Sequence, residues 1–322
     1  MDVSVIIPFC NEWSQIVFTI RAVAEQLKAG YLDFEIIVID NMVEDIRLRP
    51  DRGHDHYNDK GQFVKSHIAS MAEKHKWLRY IRYDDKLSHW NAKRVGVKAA
   101  LGEVLWFLDA HVMPDDGIWN GVKYYFDHQA ELDGTMHFPL TYHILESQRL
   151  IYKPDIDIAT GQFHYKFKNY TWKSSDEIFE VPVMSTCGMM ISKDLYELTG
   201  GWPEELGIYG GGENFMNFTL AILGKKKYIY PVHTLFHHGD KRGYKYDGPD
   251  WDRNRTIANY LFAGEDIAVR WVWSHAKHTQ ASRHKTNMLN EVMHLCRKQR
   301  DLIQSRQEVC IEDWAKKWEE KK

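Results

Sequence analysis

The feature that most restricts the fold of this chain is the run Val104-Leu105-Trp106-Phe107-Leu108, closed by Asp109-Ala110-His111. The run is short, rich in β-forming residues, preceded by Gly102 and followed by a Pro114-Asp115-Asp116-Gly117 turn. That context predicts a strand buried inside a parallel sheet rather than a helix. In an open α/β sheet, ligands bind just beyond the carboxyl ends of the strands. A carboxylate and an imidazole two residues apart, on one side by the two-residue period of a strand, stand where such a site is expected. Their mixed oxygen and nitrogen donors suit Mn²⁺ or another divalent first-row ion better than a thiolate-loving one. Alone, an Asp-x-His pair serves equally well as a turn cap, so its surroundings decide.

Those surroundings repeat the strand, loop and helix order. Val3 to Pro8 is an apolar strand that runs into Pro8-Phe9-Cys10-Asn11-Glu12, after which Ile16, Ile20, Val23 and Leu27 recur at helical spacing. Phe34 to Ile39 is a second apolar strand ending in Asp40-Asn41, which completes a βαβ unit. A charged loop from about Val43 to Gln62 follows, and its His54 and His56 are expected to be solvated. A helix near Phe63 to Lys76, a strand at Leu78 to Arg82 and a helix over Ala92 to Leu101 lead into the Asp109 strand. The first strand is not followed by Gly-x-Gly-x-x-Gly, and there is no Walker loop, which disfavours a dinucleotide or a triphosphate held by a glycine turn.

Beyond Asp109 the alternation gives way to a mixed region. Phe163, Tyr165 and Phe167 alternate with His164, Lys166 and Lys168, the signature of a half-buried strand with one aromatic and one basic face. The basic face could wall in a phosphorylated or nucleic-acid acceptor, although a solvated face is the commoner reason for such a pattern. Val181 to Ser192 reads as another strand, with Gly188 marking a close approach by a ligand or a second backbone. Tyr209-Gly210-Gly211-Gly212-Glu213-Asn214 then opens a helix, its glycines admitting a ligand and its polar pair facing it. After Pro231 come His237-His238-Gly239 and a basic, glycine-bearing stretch to Gly248 that suits a mobile lid. From Trp251 onward the pattern is helical. Met288, Val292, Leu295 and Ile303 recur at helical intervals, which fits packing onto a body or a homodimer through the C-terminal helices. The expected division is a catalytic α/β domain over 1–248 and a helical C-terminal extension over 249–322.

Composition narrows the class. A formal charge of −3 over 322 residues gives no global preference for nucleic acid or anionic membranes. The start Met1-Asp2 enters a strand without a basic and apolar leader, and no apolar run approaches the roughly 18 residues of a membrane span. Cys10, Cys187, Cys296 and Cys310 are scattered without CxxC spacing and are expected to be free thiols of a cytoplasmic protein.

Taken together, Ile7-Pro8-Phe9-Cys10-Asn11-Glu12-Trp13-Ser14, Ile37-Val38-Ile39-Asp40, Phe107-Leu108-Asp109-Ala110-His111, Gly211-Gly212-Glu213-Asn214 and His237 after Pro231 resemble a known order of motifs. They are similar to the GT-A glycosyltransferases of the family 2 superfamily, above all the catalytic domain of polypeptide N-acetylgalactosaminyltransferases. The resemblance implies a Rossmann-like nucleotide-diphospho-sugar transferase fold with a mixed central sheet, carrying the C-terminal helices as an appendage. It implies a hexosyl- or N-acetylhexosaminyltransferase that takes a sugar from a nucleotide-diphosphate donor, UDP being the expected nucleotide, to a hydroxyl acceptor. Residue by residue, Pro8, Asn11 and Glu12 would shape the nucleotide pocket, Asp40 would bond the base or ribose, and Lys93 would face the nucleotide. Asp109, His111 and His237, with His238 as a rival, would hold Mn²⁺ or Mg²⁺. Gly188, Gly211 and Gly212 would admit the donor, while Glu213 and Asn214 would grip its sugar as the catalytic pair. Lid residues such as Lys241 and Arg242 would add positive charge.

Two departures from that pattern matter. Where inverting relatives carry a second carboxylate this chain has Asn214, which favours retention of configuration, with Glu213 as the rival base. Gly210 stands where the family has a tryptophan, so the sugar is left open. The acceptor is expected to be a glycan or surface-polysaccharide precursor, or a hydroxymethylated base in DNA. The competing classes are a sugar-phosphate nucleotidyltransferase, which would need a glycine-rich basic loop after the first strand, and a non-catalytic nucleotide-sugar or carbohydrate-binding module.

Overall fold

Seven consecutive fully buried residues make β1 (Val3–Phe9) an interior strand, and the two strands on either side of it share that character. The computed structural model describes residues 1–10, 12, 15–41, 66–142, 148–171, 173, 176–238 and 248–319. Asn11, the loop with His54 and His56, and the stretch with Lys241 and Arg242 lie outside the described residues. Parallel pairing joins β1 to β2 (Phe34–Asp40) and to β4 (Val104–Phe107), and β2 to β3 (Leu78–Arg82). Helices α1 (Gln15–Ala29), α2 (His67–Ala72) and α3 (His89–Ala99) connect these strands. Gly96 of α3 is where helix meets sheet: a Cβ there would lie 2.5 Å from Ile6 and 2.7 Å from Ile39.

The sheet then changes character. After α4 (Trp119–Leu132) come β6 (Gly134–His137), β10 (Phe179–Glu180), β11 (Met190–Ser192) and β12 (Lys226–Ile229). They extend the sheet to eight strands in the order β10-β12-β6-β11-β4-β1-β2-β3, with β11 antiparallel to both β4 and β6. A second sheet of five strands, β5 (Val112–Pro114), β13 (Leu235–His237), β7 (Leu140–Thr141), β8 (Gln148–Asp157) and β9 (Gln162–Thr171), is ordered as named. Its register matters for the site. Antiparallel pairing of β13 with β5 sets His237 opposite Val112, one residue beyond His111.

Two expectations are corrected. Residues 181–189 are not a strand: only Met190–Ser192 pairs, because Gly188 turns the chain at a φ of 86° before it enters β11. The loop so formed carries Ser185, Thr186 and Cys187. The stretch from Trp251 onward, read as one helical pattern, is divided among α7 (Gly248–Ala263), α8 (Glu265–His275), α9 (Ser282–Ser305) and α10 (Ile311–Glu319). These helices share one continuous apolar core with the α/β body through residues such as Ile257, Leu261, Trp271, Val292 and Trp314. The stripe that fitted either a body or a dimer is therefore used internally at Met288, Val292 and Ile303, while Leu295 stays exposed. Among the described residues, no helix is long and apolar enough to cross a membrane.

Candidate active site

Asp109 does not sit on the strand that delivers it. β4 ends at Phe107, and Asp109 lies just beyond its carboxyl end, ahead of a turn at Ala110 and His111 that leads into β5 of the second sheet. The carboxylate meets opposite charge from beneath and imidazole from above. Oδ1 lies 3.7 Å from Nζ of Lys93 and 3.8 Å from Nε2 of His89, and Oδ2 lies 3.2 Å from Nε2 of His237. Burial alone would raise the Asp109 carboxyl, yet the Lys93 ammonium and the His237 hydrogen bond hold it well below the usual carboxylate range. Lys93 is fully buried, its ammonium 5.4–5.9 Å from the ring centroids of Trp90, Trp202 and Phe107. It thus faces Asp109 from the core side.

Three atoms here lack the partners that buried polar groups normally find. Asp109 Oδ1, His237 Nδ1 and Lys93 Nζ make no hydrogen bond. An orphaned carboxylate oxygen beside an imidazole is the donor chemistry of a divalent-cation site, so the residues present fit such an ion. His237 rather than His238 faces Asp109, the His238 amide instead donating to the His111 carbonyl at 2.9 Å. The His111 ring packs edge-on to His237 with centroids 4.7 Å apart and lines the same cavity. Among the described residues, the group of potential donors whose atoms lie within 4.8 Å of one another is Asp109, His237 and Cys187. Burial, then the Asp109 charge, push the Cys187 thiol well above its ordinary range, with Lys93 and the Asp109 amide acting the other way.

The cavity, of about 200 Å³, is lined by Pro8, Glu12, His89, Asp109, His111, Tyr142, Tyr152, Tyr165, Tyr209, Glu213 and His237 among others. A narrower recess, shared at Pro8, Glu12 and His89, continues past Phe9, Asn41, Leu87 and Ile208. Glu12 is fixed there by the Cys10 amide, which donates to Oε2 at 2.6 Å. Asp40 is not brought in: it is fully buried, accepts a hydrogen bond from Tyr80 at 2.5 Å and lies 3.4 Å from Arg82.

Glu213 opens α6 (Gly212–Ile222), and its carboxylate is tied down on every side. Oε1 accepts from Ser185 Oγ at 3.1 Å and from the Thr186 amide at 3.0 Å, and Oε2 accepts from the Tyr165 hydroxyl. Burial, and then Glu213 itself, push that hydroxyl far above its ordinary range, so it remains a donor. Asn214 departs from expectation. Its amide donates to the Phe163 carbonyl at 2.5 Å, in the protein interior, because one residue along a helix turns the side chain away from the cavity.

The glycines also serve a different purpose from the one expected. A Cβ on Gly211, at a φ of 72°, would sit 2.2 Å from the Asn254 carbonyl oxygen, and one on Gly212 would sit 2.3 Å from the Trp90 ring. Gly188 is pressed in the same way against Leu235, 2.5 Å away. These positions admit protein, namely α7, an indole and a leucine, and so fix where Glu213 stands. Two indoles complete the clamp, Trp90 donating to the Gly210 carbonyl at 3.1 Å and Trp202 to that of Gly212 at 3.0 Å.

The alternating strand contributes its aromatic face, not its basic one. Tyr152 of β8 and Tyr165 of β9 stack at 4.5 Å with planes 8° apart, and Phe167 and Tyr142 continue the wall toward His237. Lys166 lies on the other face, paired with Asp155 at 2.9 Å. Sequence reasoning missed Tyr152, His89, Ser185, Thr186 and Cys187 as site residues. Of the aromatic wall, Tyr165 and Phe167 were signalled by the aromatic alternation.

With this geometry in place, comparison with known proteins is informative. Residues 4–48 match the glycosyl transferase family 2 sequence profile. The chain is 26% identical to N-acetylgalactosaminyltransferase 6 of Drosophila melanogaster, over 73% of this chain and 34% of that protein. It is 27% identical to polypeptide N-acetylgalactosaminyltransferase 3 of Taeniopygia guttata, over 73% of this chain and 37% of that one. It thus spans about a third of the length of these relatives. The solved structure of GalNAc-T7 with UDP, GalNAc and Mn²⁺ superposes with a TM-score of 0.64 at 15% identity, over 91% of this chain and 56% of that one. That of S. aureus TarS 1-349 in complex with UDP-GlcNAc gives 0.51 at 14% identity, over 92% and 73%. The fold is the one shared with these GT-A glycosyltransferase structures. Within it, the chain carries a family 2 amino-terminal segment and resembles the polypeptide N-acetylgalactosaminyltransferases in sequence.

Proposed function

We propose that this chain transfers a sugar from a nucleotide-diphosphate donor to a hydroxyl acceptor and that it needs a divalent cation to do so. The observation that carries the reading is the facing pair Asp109 and His237, 3.2 Å apart with an orphaned carboxylate oxygen, in the same cavity as an anchored Glu213. Asp109 and His237, with His111 beside them, would hold Mn²⁺ or Mg²⁺. The metal's contribution is to neutralise charge on the departing diphosphate. UDP is the nucleotide of choice because structural neighbours were solved with UDP or UDP-GlcNAc.

The protein's own part follows from the fixed groups. Pro8, Glu12 and His89 line both the site cavity and the small recess beside it, and they would border the nucleotide. Glu213 already accepts hydrogen bonds from Tyr165, Ser185 and Thr186, so it is better placed to orient donor hydroxyls than to take a proton from the acceptor. Asn214 is an amide and faces the interior, so it supplies no base beside Glu213, which supports retention of configuration. The acceptor we favour is a glycan or surface-polysaccharide precursor, with a hydroxymethylated DNA base as the alternative. A cytoplasmic setting suits the four free thiols.

Calorimetric titration with a panel of nucleotide-diphosphate sugars, each with and without Mn²⁺, tests the reading. One donor should bind tightly with metal and weakly without it, and Asp109→Ala should abolish the difference. Metal-independent binding of every donor would sink it. Transfer to a DNA acceptor should weaken steeply with salt, and transfer to a neutral glycan should not.

A further inference from the structure

The sulfur of Cys187 lies outside the pattern of oxygen and nitrogen donors expected of this fold. Cys187 is held in the loop over residues 181–189, its amide donating to Ser185 Oγ at 3.1 Å, and the next residue turns the chain through Gly188. That turn puts Sγ within 4.8 Å of ligand atoms of both Asp109 and His237, the one such mixed group among the described residues. One of its neighbours points to an ion independently of the cysteine: Asp109 Oδ1 is buried without a hydrogen bond.

We propose that Cys187, Asp109 and His237 together bind a thiophilic divalent cation of the zinc class, in competition with the hard ion used for transfer. Ligand softness gives the reason. One sulfur, one nitrogen and one oxygen with room for a fourth ligand is a set that zinc and its tetrahedral relatives take readily, whereas Mn²⁺ and Mg²⁺ prefer oxygen and imidazole and leave a thiol uncoordinated. On binding, the thiol proton passes to solvent and the sulfur bonds the ion as thiolate, so charge and atoms balance. The site would then exist in two states, one with the thiol idle and one with the sulfur bound. The inference rests on the proposed metal pair Asp109 and His237.

Cobalt(II) is the probe, because a sulfur ligand adds a near-ultraviolet charge-transfer band to the visible bands that nitrogen and oxygen ligands give by themselves. The full chain titrated with Co²⁺ should show both, and Mn²⁺ in excess should suppress both. Cys187→Ser should lose the charge-transfer band, keep the visible bands and bind Zn²⁺ at least roughly tenfold more weakly, with much less change for Mn²⁺. Thermal melting establishes that the variant is folded, and Cys187→Ala serves if the serine does not fold. Visible bands without the charge-transfer band in the native chain, or a charge-transfer band that survives in both variants, would overturn the sulfur assignment and leave the transferase reading intact. No visible bands at all would overturn both.

Discussion

The ammonium of Lys93 lies 3.7 Å from Oδ1 of Asp109, fully buried under the residue best placed to hold an ion. Neither charge is otherwise neutralised by a hydrogen bond at those atoms. Lys93→Met would leave the carboxylate in dry surroundings without its counter-charge. Breaking a buried pair typically costs about 3–5 kcal/mol, and partial exposure of Asp109 puts the expected loss nearer about 2–3 kcal/mol. The double variant Lys93→Met/Asp109→Asn should lose less than the single one, since no unpaired charge remains. Mn²⁺ should restore stability to the single variant by binding only the folded form, and should not restore the double. Urea midpoints of the three proteins with and without Mn²⁺ provide the check.

Glu213 is anchored by Tyr165, Ser185 and Thr186, so its role as an orienting group can be separated from a role as a base. Glu213→Gln replaces an acceptor-only group by one that also donates, so a bond now accepted by the carboxylate must be lost or reversed. With hydrogen bonds to a charged group worth about 1.5–3 kcal/mol, transfer should fall roughly ten- to a hundred-fold. Tyr165→Phe should do the same in smaller measure while leaving both carboxylate oxygens in place. Proton NMR of the first product formed should show the donor's anomeric configuration retained. Inverted product would make Glu213 the base.

Gly211 shows where a sequence pattern can be right about position and wrong about purpose. Its positive φ and the 2.2 Å approach of a Cβ to the Asn254 carbonyl leave no room for a side chain. Gly211→Ala should therefore cost about 3 kcal/mol or more, by strain and by displacing α7 from α6. The expected signature is a lowered melting temperature in the protein free of donor. A change confined to donor affinity would restore the ligand-approach reading.

How much of this was legible follows from what each signal depends on. The parallel half was readable because β1, β2 and β4 are continuous apolar runs, and burial on both faces leaves such a mark. Asp109 and His237 could be singled out because residue types able to ligate a metal are few in kind and these two stand at or just past strand ends. Asn214 and Cys187 were not, since a single residue's rotation about a helix, or a turn at Gly188, decides which side chain reaches the cavity, and no local periodicity records it. The aromatic strand was recognised, but the choice of face came from pairing with β8, where Tyr165 opposes Pro154 and Phe167 opposes Tyr152. That pairing is nonlocal information.

His137 gives a pH dependence whose sign can be worked out. Its ring is fully enclosed, with Nε2 2.8 Å from Thr135 Oγ1 and Nδ1 2.9 Å from the Ser185 carbonyl, and burial lowers its pKa from 6.5 to about 3. Above pH 6.5 both the folded and the unfolded ring are neutral, and the group has no effect on stability. As the pH falls below that value the unfolded chain takes up a proton that the folded ring refuses. Stability should then drop by about 1.4 kcal/mol per pH unit from this residue alone until the folded ring titrates in turn. The Ser185 carbonyl belongs to the loop that anchors Glu213, so acid unfolding should loosen the site along with the sheet. His137→Gln removes the titration, and whatever its stability at pH 7, its urea midpoint should fall less steeply between pH 6.5 and 5 than that of the native chain, by the equivalent of about one proton. Parallel slopes for the two proteins would mean that the buried imidazole is already protonated in the folded state.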